Sequence, residues 1–188
     1  NRQWSLNTIS EQAAYDFIEH KKKSPIKTVI SHGSYLINLG SPNKSVVQKS
    51  KEALLAELTR CDQLQIPYTV IHPGASLKTD EQECLDRIAG NISQILLTYQ
   101  GACSILLENT AGQGSTLGHT FEQLAYIRNN VTLKNKIGIC FDTCHAFAAG
   151  YKFQNKEDYQ TLWKNFNKVI GLDNLKALHL NDSKKECG

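Results

Sequence analysis

Five short apolar runs, each closed by a side chain able to bind a metal, recur along the chain at nearly constant intervals. This recurrence constrains the fold more than any other feature. Lys27 to Ile30 runs into His32, Tyr68 to Ile71 into His72, Ser104 to Leu107 into Glu108, Ile137 to Phe141 into Asp142, and Ala177 to Leu178 into His179. The five closing residues are separated by 40, 36, 34 and 37 residues. Between the runs lie stretches with helical spacing of apolar residues. A strand followed by a helix of that length returns the next strand parallel to the last.

The helical stretches carry their own punctuation. Ser10 caps a helix with Ala14, Phe17 and Ile18 inward that stops at Ser24-Pro25. From about Ser45, Val47, Leu54, Leu58, Cys61 and Leu64 form one face of a long helix that ends before Pro67. Thr79 with Gln82 reads as a capping box for a helix with Leu85, Ile88, Ile92, Ile95 and Tyr99 inward, stopped at Gly101. Thr120 and Gln123 cap a further helix, and Lys156 to Val169 a last one, with Tyr159, Leu162, Phe166 and Val169 inward. The run through Ile137, Ile139 and Phe141 is apolar at both alternations, as in a parallel strand covered on both faces.

A doubly wound sheet and a (β/α)8 TIM barrel share this repeat. In a barrel every strand end points into one mouth, so His32, His72, Glu108, Asp142 and His179 can converge, whereas outer strands of an open sheet hold theirs apart. Convergence selects the barrel. A barrel has eight strands and usually about 250 residues, and only five βα units are legible in 188 residues. The expectation is therefore a partial TIM barrel, a single domain over 1–188, with about three strands missing and a metal site at the C-terminal ends of the strands.

Other signals are weaker. Asp142 alone reads as a helix N-cap and His145 as a half-buried histidine; it is the company of the other strand ends that makes them ligand candidates. Gly112, Gly114 and Gly118 in AGQGSTLG miss the dinucleotide spacing, and Glu108 beside them repels a pyrophosphate. Cys144, next to His145, has no orienting third group for a thiol nucleophile and is expected to pack in the core. The six cysteines include no C-x-x-C pair, which points to buried thiols in a reducing, intracellular setting. No apolar run approaches the ~20 residues of a membrane span. The net charge of +3 allows a polyanionic partner without requiring one.

Histidines and carboxylates without a thiolate suit zinc or manganese in a catalytic site. A carboxylate among them can bridge two ions, the arrangement used for phosphodiester hydrolysis. Sugar isomerisation by a metal pair is the main enzymatic rival, with a ligand set usually richer in carboxylates.

The segments SHGSYLINLGSP, IHPG, LLENTAGQGSTLG, CFDTCHAFAAGY and HLNDSK closely resemble the endonuclease IV family of abasic-site DNA repair enzymes, along the whole chain. The resemblance implies a zinc-dependent endonuclease, with three zinc ions in a complete member. It would cut double-stranded DNA on the 5′ side of an abasic site and leave a 3′-hydroxyl, as a monomer without a membrane partner. It implies His32, His72 and Glu108 as ligands of one zinc, Glu108 bridging to a second held with Asp142 and His179, His145 as a ligand of the third, and Glu108 as the catalytic residue. It also implies Arg2, Tyr35 and Leu36 as DNA-binding residues at the lesion. The family's Asp-x-His pair after HLND, its final glutamate ligand and its first two strands have no counterpart here. The chain therefore lacks the family's first two strands and its last; fewer zinc ions, exposed sheet edges and poor solubility or association are expected of it, read as a fragment of an active enzyme that is inactive alone. A metal-dependent sugar isomerase or epimerase, and a fragment that binds damaged DNA without cutting it, are the alternatives.

Overall fold

A computed structural model describes Trp4, residues 8–184 and residues 186–188. In chain order its elements are α1 (Glu11–Lys23), β1 (Ile30–His32), α2 (Lys44–Gln63), β2 (Tyr68–Ile71), β3 (Gly74–Ala75), α3 (Glu81–Thr98), β4 (Ser104–Glu108), β5 (Thr116–Leu117), α4 (Phe121–Asn130), β6 (Ile137–Asp142), α5 (Thr143–Ala148), α6 (Lys156–Val169) and β7 (Leu175–His179). Five strands form one sheet in the order β1-β2-β4-β6-β7, every pair parallel. Each βα unit adds its strand on the same side as the one before. A doubly wound sheet reverses direction at a switch point. No reversal occurs among the described strands, so the sheet is a run of barrel staves.

The two faces of the sheet differ in a way that places the site. Side chains alternate along a strand. Ile71, Ile105, Leu107, Ile137, Ile139 and Phe141 join Leu54, Leu58, Ile88, Ile92, Phe121, Leu124 and Phe166 from the helices in the main buried core. On the other face Val70, Leu106 and Cys140 make a small separate cluster with Tyr68 and Ala177. Two residues further along each strand from Val70, Leu106, Cys140 and Ala177 come His72, Glu108, Asp142 and His179. The same period that buries apolar side chains inside the barrel therefore brings the polar ones to its mouth.

The loops above the sheet are tied to one another. Asn38 Oδ1 accepts from the backbone N–H of Gly40 and of Ala75, both at 3.1 Å, and its Nδ2 donates to the Ala75 carbonyl at 3.1 Å. The loop after β1 is thus fastened to β3, which pairs antiparallel with β5 in the loop after β4. Gly74 sits at φ +145, and a Cβ there would lie 2.7 Å from Asn38 Oδ1. Its backbone conformation and the close approach both require glycine.

Several local expectations are corrected. Strand β1 begins at Ile30, not Lys27. Among the described strands it pairs only with β2, with Ile30 opposite Tyr68, so the preceding position would face Pro67, which has no N–H to offer a ladder. Helix α3 is capped by Asp80, whose carboxylate accepts from Glu83 N. Thr79 instead donates to the Ser76 carbonyl and accepts from Arg87. A charged oxygen at the helix N-terminus outcompetes the neighbouring hydroxyl. Thr120 does cap α4, but Gln123 turns its amide oxygen to the N–H groups of Gly118 and His119. Tyr159 is exposed, and Trp163 packs against Phe141 in its place. Cys144 is only half-buried, because the short α5 presents it away from the core; Cys61, Cys84, Cys103 and Cys140 are buried.

Candidate metal centre at the strand ends

Glu108, the last residue of β4, is the hub. Its side chain is 2% exposed, yet four imidazoles surround it. His32 Nε2 lies 2.9 Å and His72 Nε2 3.2 Å from Oε2. His179 Nδ1 lies 2.9 Å and His145 Nδ1 3.4 Å from Oε1. The rings of His32 and His179 stack at 5.8 Å, and His72 meets His32 and His145 edge-on at 5.5 and 5.4 Å. Burial pushes the Glu108 carboxyl up, but the four imidazole contacts outweigh it and hold the group well below the usual carboxylate range. His32 and His145 are shifted up in return, chiefly by their bonds to Glu108, against the opposing effect of burial.

Asp142, at the end of β6, has two duties. Its Oδ1 accepts from His145 N at 2.8 Å, capping α5 as the local reading predicts. Its Oδ2 accepts from Asn181 Nδ2 and stands 3.7 Å from His179 Nδ1. The carboxylate is 2% exposed and borders the histidine cluster without touching Glu108's partners as closely as Glu108 does.

Among the described residues, the donor atoms within 4.8 Å of one another make two trios, His32–Glu108–His179 and His72–Glu108–His145, sharing the same carboxylate. Nitrogen and carboxylate donors in sets of this kind suit a catalytic divalent metal, and a shared carboxylate can bridge a pair of them. A thiolate does not compete. Cys140 lies below on the same face, and burial first, then Glu108 and Asp142, pushes its thiol up to about 12. His32 Nδ1 donates to the Gly33 carbonyl at 2.8 Å, which turns Nε2 toward Glu108, the arrangement common in histidines that bind a metal.

Tyr35, in the loop after β1, is 57% exposed, and Leu36 beside it is half-buried. Arg2 lies outside the described residues. Three polar residues that the sequence reading did not select also shape the site. Asn109 is 1% exposed and binds the backbone of Asp142. Asn181 holds the Asp142 carboxylate, and Thr143 Oγ1 accepts from Asn181 N at 2.8 Å. Their only sequence signal is position, one or two residues beyond a strand end.

Together these features define a TIM-barrel protein with a histidine-rich, carboxylate-centred site at the carboxyl ends of its parallel strands. The sequence profile of the xylose isomerase-like TIM barrels matches residues 2–188. Proteins named probable endonuclease 4 are 45% identical in Campylobacter hominis and 44% in Chloroflexus aurantiacus, each over 100% of this chain and over 67% and 66% of their own lengths. The one from Protochlamydia amoebophila is 47% identical over 89% of this chain and 59% of its own. Endonuclease IV from Thermus thermophilus superposes with a TM-score of 0.84 at 29% identity, over 100% of this chain and 65% of that one. A D-tagatose 3-epimerase-like protein, at 23% identity and a TM-score of 0.71 over 92% of this chain and 62% of that one, shares the fold. The chain belongs to the endonuclease IV family of xylose isomerase-like TIM barrels. It spans about two thirds of the length of these curated relatives.

Proposed function

We propose that the chain carries the metal centre of a DNA repair endonuclease that hydrolyses the phosphodiester 5′ to an abasic site with zinc. The observation that carries this reading is the buried Glu108 with imidazoles on both its oxygens, in a chain 42–47% identical to proteins named probable endonuclease 4. Its Oε2 faces His32 and His72, and its Oε1 faces His179 and His145. That division supports one zinc on the His32, His72 and Glu108 side, a second on the Glu108, Asp142 and His179 side, and His145 as a ligand at the border. Zinc held there supplies Lewis-acid stabilisation of the charge that develops on phosphate oxygens.

The protein's own contribution is placement. Glu108 is fixed at the floor of the mouth by burial, while the His32 and His72 side chains, 43% and 37% exposed, line an opening that a phosphate can reach. Tyr35, Leu36 and Arg2 are assigned to the DNA surface. An exposed aromatic ring on a loop pinned through Asn38 is a suitable wedge for a base step. A rigid loop loses less freedom on binding than a mobile one.

The test is incubation of the chain and zinc with a duplex carrying one synthetic abasic site. A nick on the 5′ side, with an end that a DNA polymerase extends, is the expected product, and the intact duplex stays uncut. Binding of abasic DNA without a nick would replace this reading with a non-cleaving one. Epimerisation of a ketohexose, with no action on DNA, would replace it with sugar chemistry.

A further inference from the structure

We infer that Asn109 is a positioning residue of the metal centre, which it serves by locking the tautomer and aim of His145. The inference rests on the metal-centre reading above and extends it to a residue that binds no metal itself. Asn109 follows Glu108 directly, and its amide continues the β4–β6 pairing beyond the end of the ladder. Oδ1 accepts from Asp142 N at 2.7 Å and Nδ2 donates to the Asp142 carbonyl at 3.0 Å. Its own backbone N–H donates to the Cys140 carbonyl at 3.3 Å. With the residue 1% exposed, this clamp works without competition from solvent.

The consequence lies on the other side of the same residue. The Asn109 carbonyl faces His145 Nδ1 at 2.9 Å. A carbonyl can only accept, and Glu108 Oε1, the other neighbour of that nitrogen at 3.4 Å, also accepts when ionised. His145 Nδ1 therefore carries the hydrogen, and Nε2 is left with the lone pair a metal requires. Asp142 meanwhile holds the backbone N–H of His145 through its Oδ1 at 2.8 Å. The Asn109 side chain thus fixes the backbone of Asp142, whose carboxylate holds the His145 backbone, and the same clamp holds in place the Asn109 main-chain carbonyl that faces the His145 ring. Partners behind a metal-binding histidine commonly set metal affinity by about 10–100-fold.

The experiment compares the chain with Asn109→Ala and Asn109→Ser, the latter keeping a hydroxyl that can accept from Asp142 N. Folding is checked by circular dichroism. The first readout is the His145 tautomer in the metal-free chain at alkaline pH, by long-range nitrogen–proton NMR. The Nδ1–H form is expected in the parent; in a folded variant the main-chain carbonyl of residue 109 remains but is no longer held by the side-chain clamp, and a mixture of both forms is expected. The second is zinc affinity by competition with a chromophoric chelator, expected to fall about 10–100-fold in Asn109→Ala and less in Asn109→Ser. An Nε2–H tautomer in the parent overturns the inference outright. So does a folded variant with unchanged tautomer and affinity. Failure of the parent chain to bind zinc overturns the metal-centre reading itself, a result the tautomer measurement keeps distinct from an error about Asn109.

Discussion

Glu108→Gln is expected to abolish incision and strip the centre of its metal while leaving the fold intact. The substitution keeps the size of the side chain, so the packing around Leu106 and Cys140 is undisturbed. It removes the negative charge placed among four imidazoles, whose nitrogens lie 2.9–3.4 Å from its oxygens. An amide nitrogen then points at histidines that need an acceptor, and neither trio of donors retains a carboxylate. The stabilisation of phosphate charge by a metal is several kcal/mol, so the rate should fall about a thousandfold or more. Metal content after gel filtration, the incision rate and the circular dichroism spectrum check this together. A variant that keeps its metal and cuts at more than about a tenth of the parent rate, a loss of under ~1.4 kcal/mol, would remove Glu108 from the centre.

The largest expected effect on stability comes from Phe121→Ala. Phe121 is fully buried at the first turn of α4, directly after its Thr120 cap. Its ring stacks on Tyr151 at 4.3 Å and meets Phe166 of α6 edge-on at 5.2 Å and Phe141 of β6 at 6.4 Å. One ring therefore joins α4, α6, the strand that ends in Asp142 and the segment after α5. Removing a buried phenyl group costs about 3–5 kcal/mol, and a chain of this size loses roughly 2–4 °C of melting temperature per kcal/mol. Thermal denaturation followed by circular dichroism measures the drop. Because Phe121 faces the helices and the Glu108–histidine cluster faces the barrel interior, zinc affinity below the lowered transition should match the parent.

The strands were legible because each apolar run has a short length, a helix-sized gap and a polar stop. Tyr68 to Ile71 and Lys156 to Val169 coincide with β2 and α6 residue for residue. The barrel could be chosen over the open sheet because residues able to bind a metal close five successive strands and converge only in a barrel, and the unreversed strand order is the structural counterpart of that argument. The first strand was harder. Its boundary depends on the register with β2 and on Pro67, a long-range fact that no local pattern contains.

In the site, sequence spacing could find residues that alternate with a buried strand, because the two-residue period extends one step past the apolar run. It could not find Asn38, Asn109 or Asn181. A polar residue just after a strand is as often a solvated turn as a buried clamp, and only its three-dimensional partners distinguish the two. Asp142 shows the converse. The plain reading of it as a helix cap is correct, and the same side chain also borders His179. A structural duty does not exclude a place at a metal centre.

X-ray absorption at the zinc edge on the loaded chain tests the central claim most directly. A centre built from Glu108 and the imidazoles of His32, His72, His145 and His179 requires only nitrogen and oxygen neighbours at about 2.0–2.2 Å, with the outer scattering of imidazole rings. That pattern, lost in Glu108→Gln, is the expected result. Sulfur scattering at about 2.3 Å, or a zinc signal unchanged by the Glu108 substitution, would place the metal at the cysteines or the surface and contradict it.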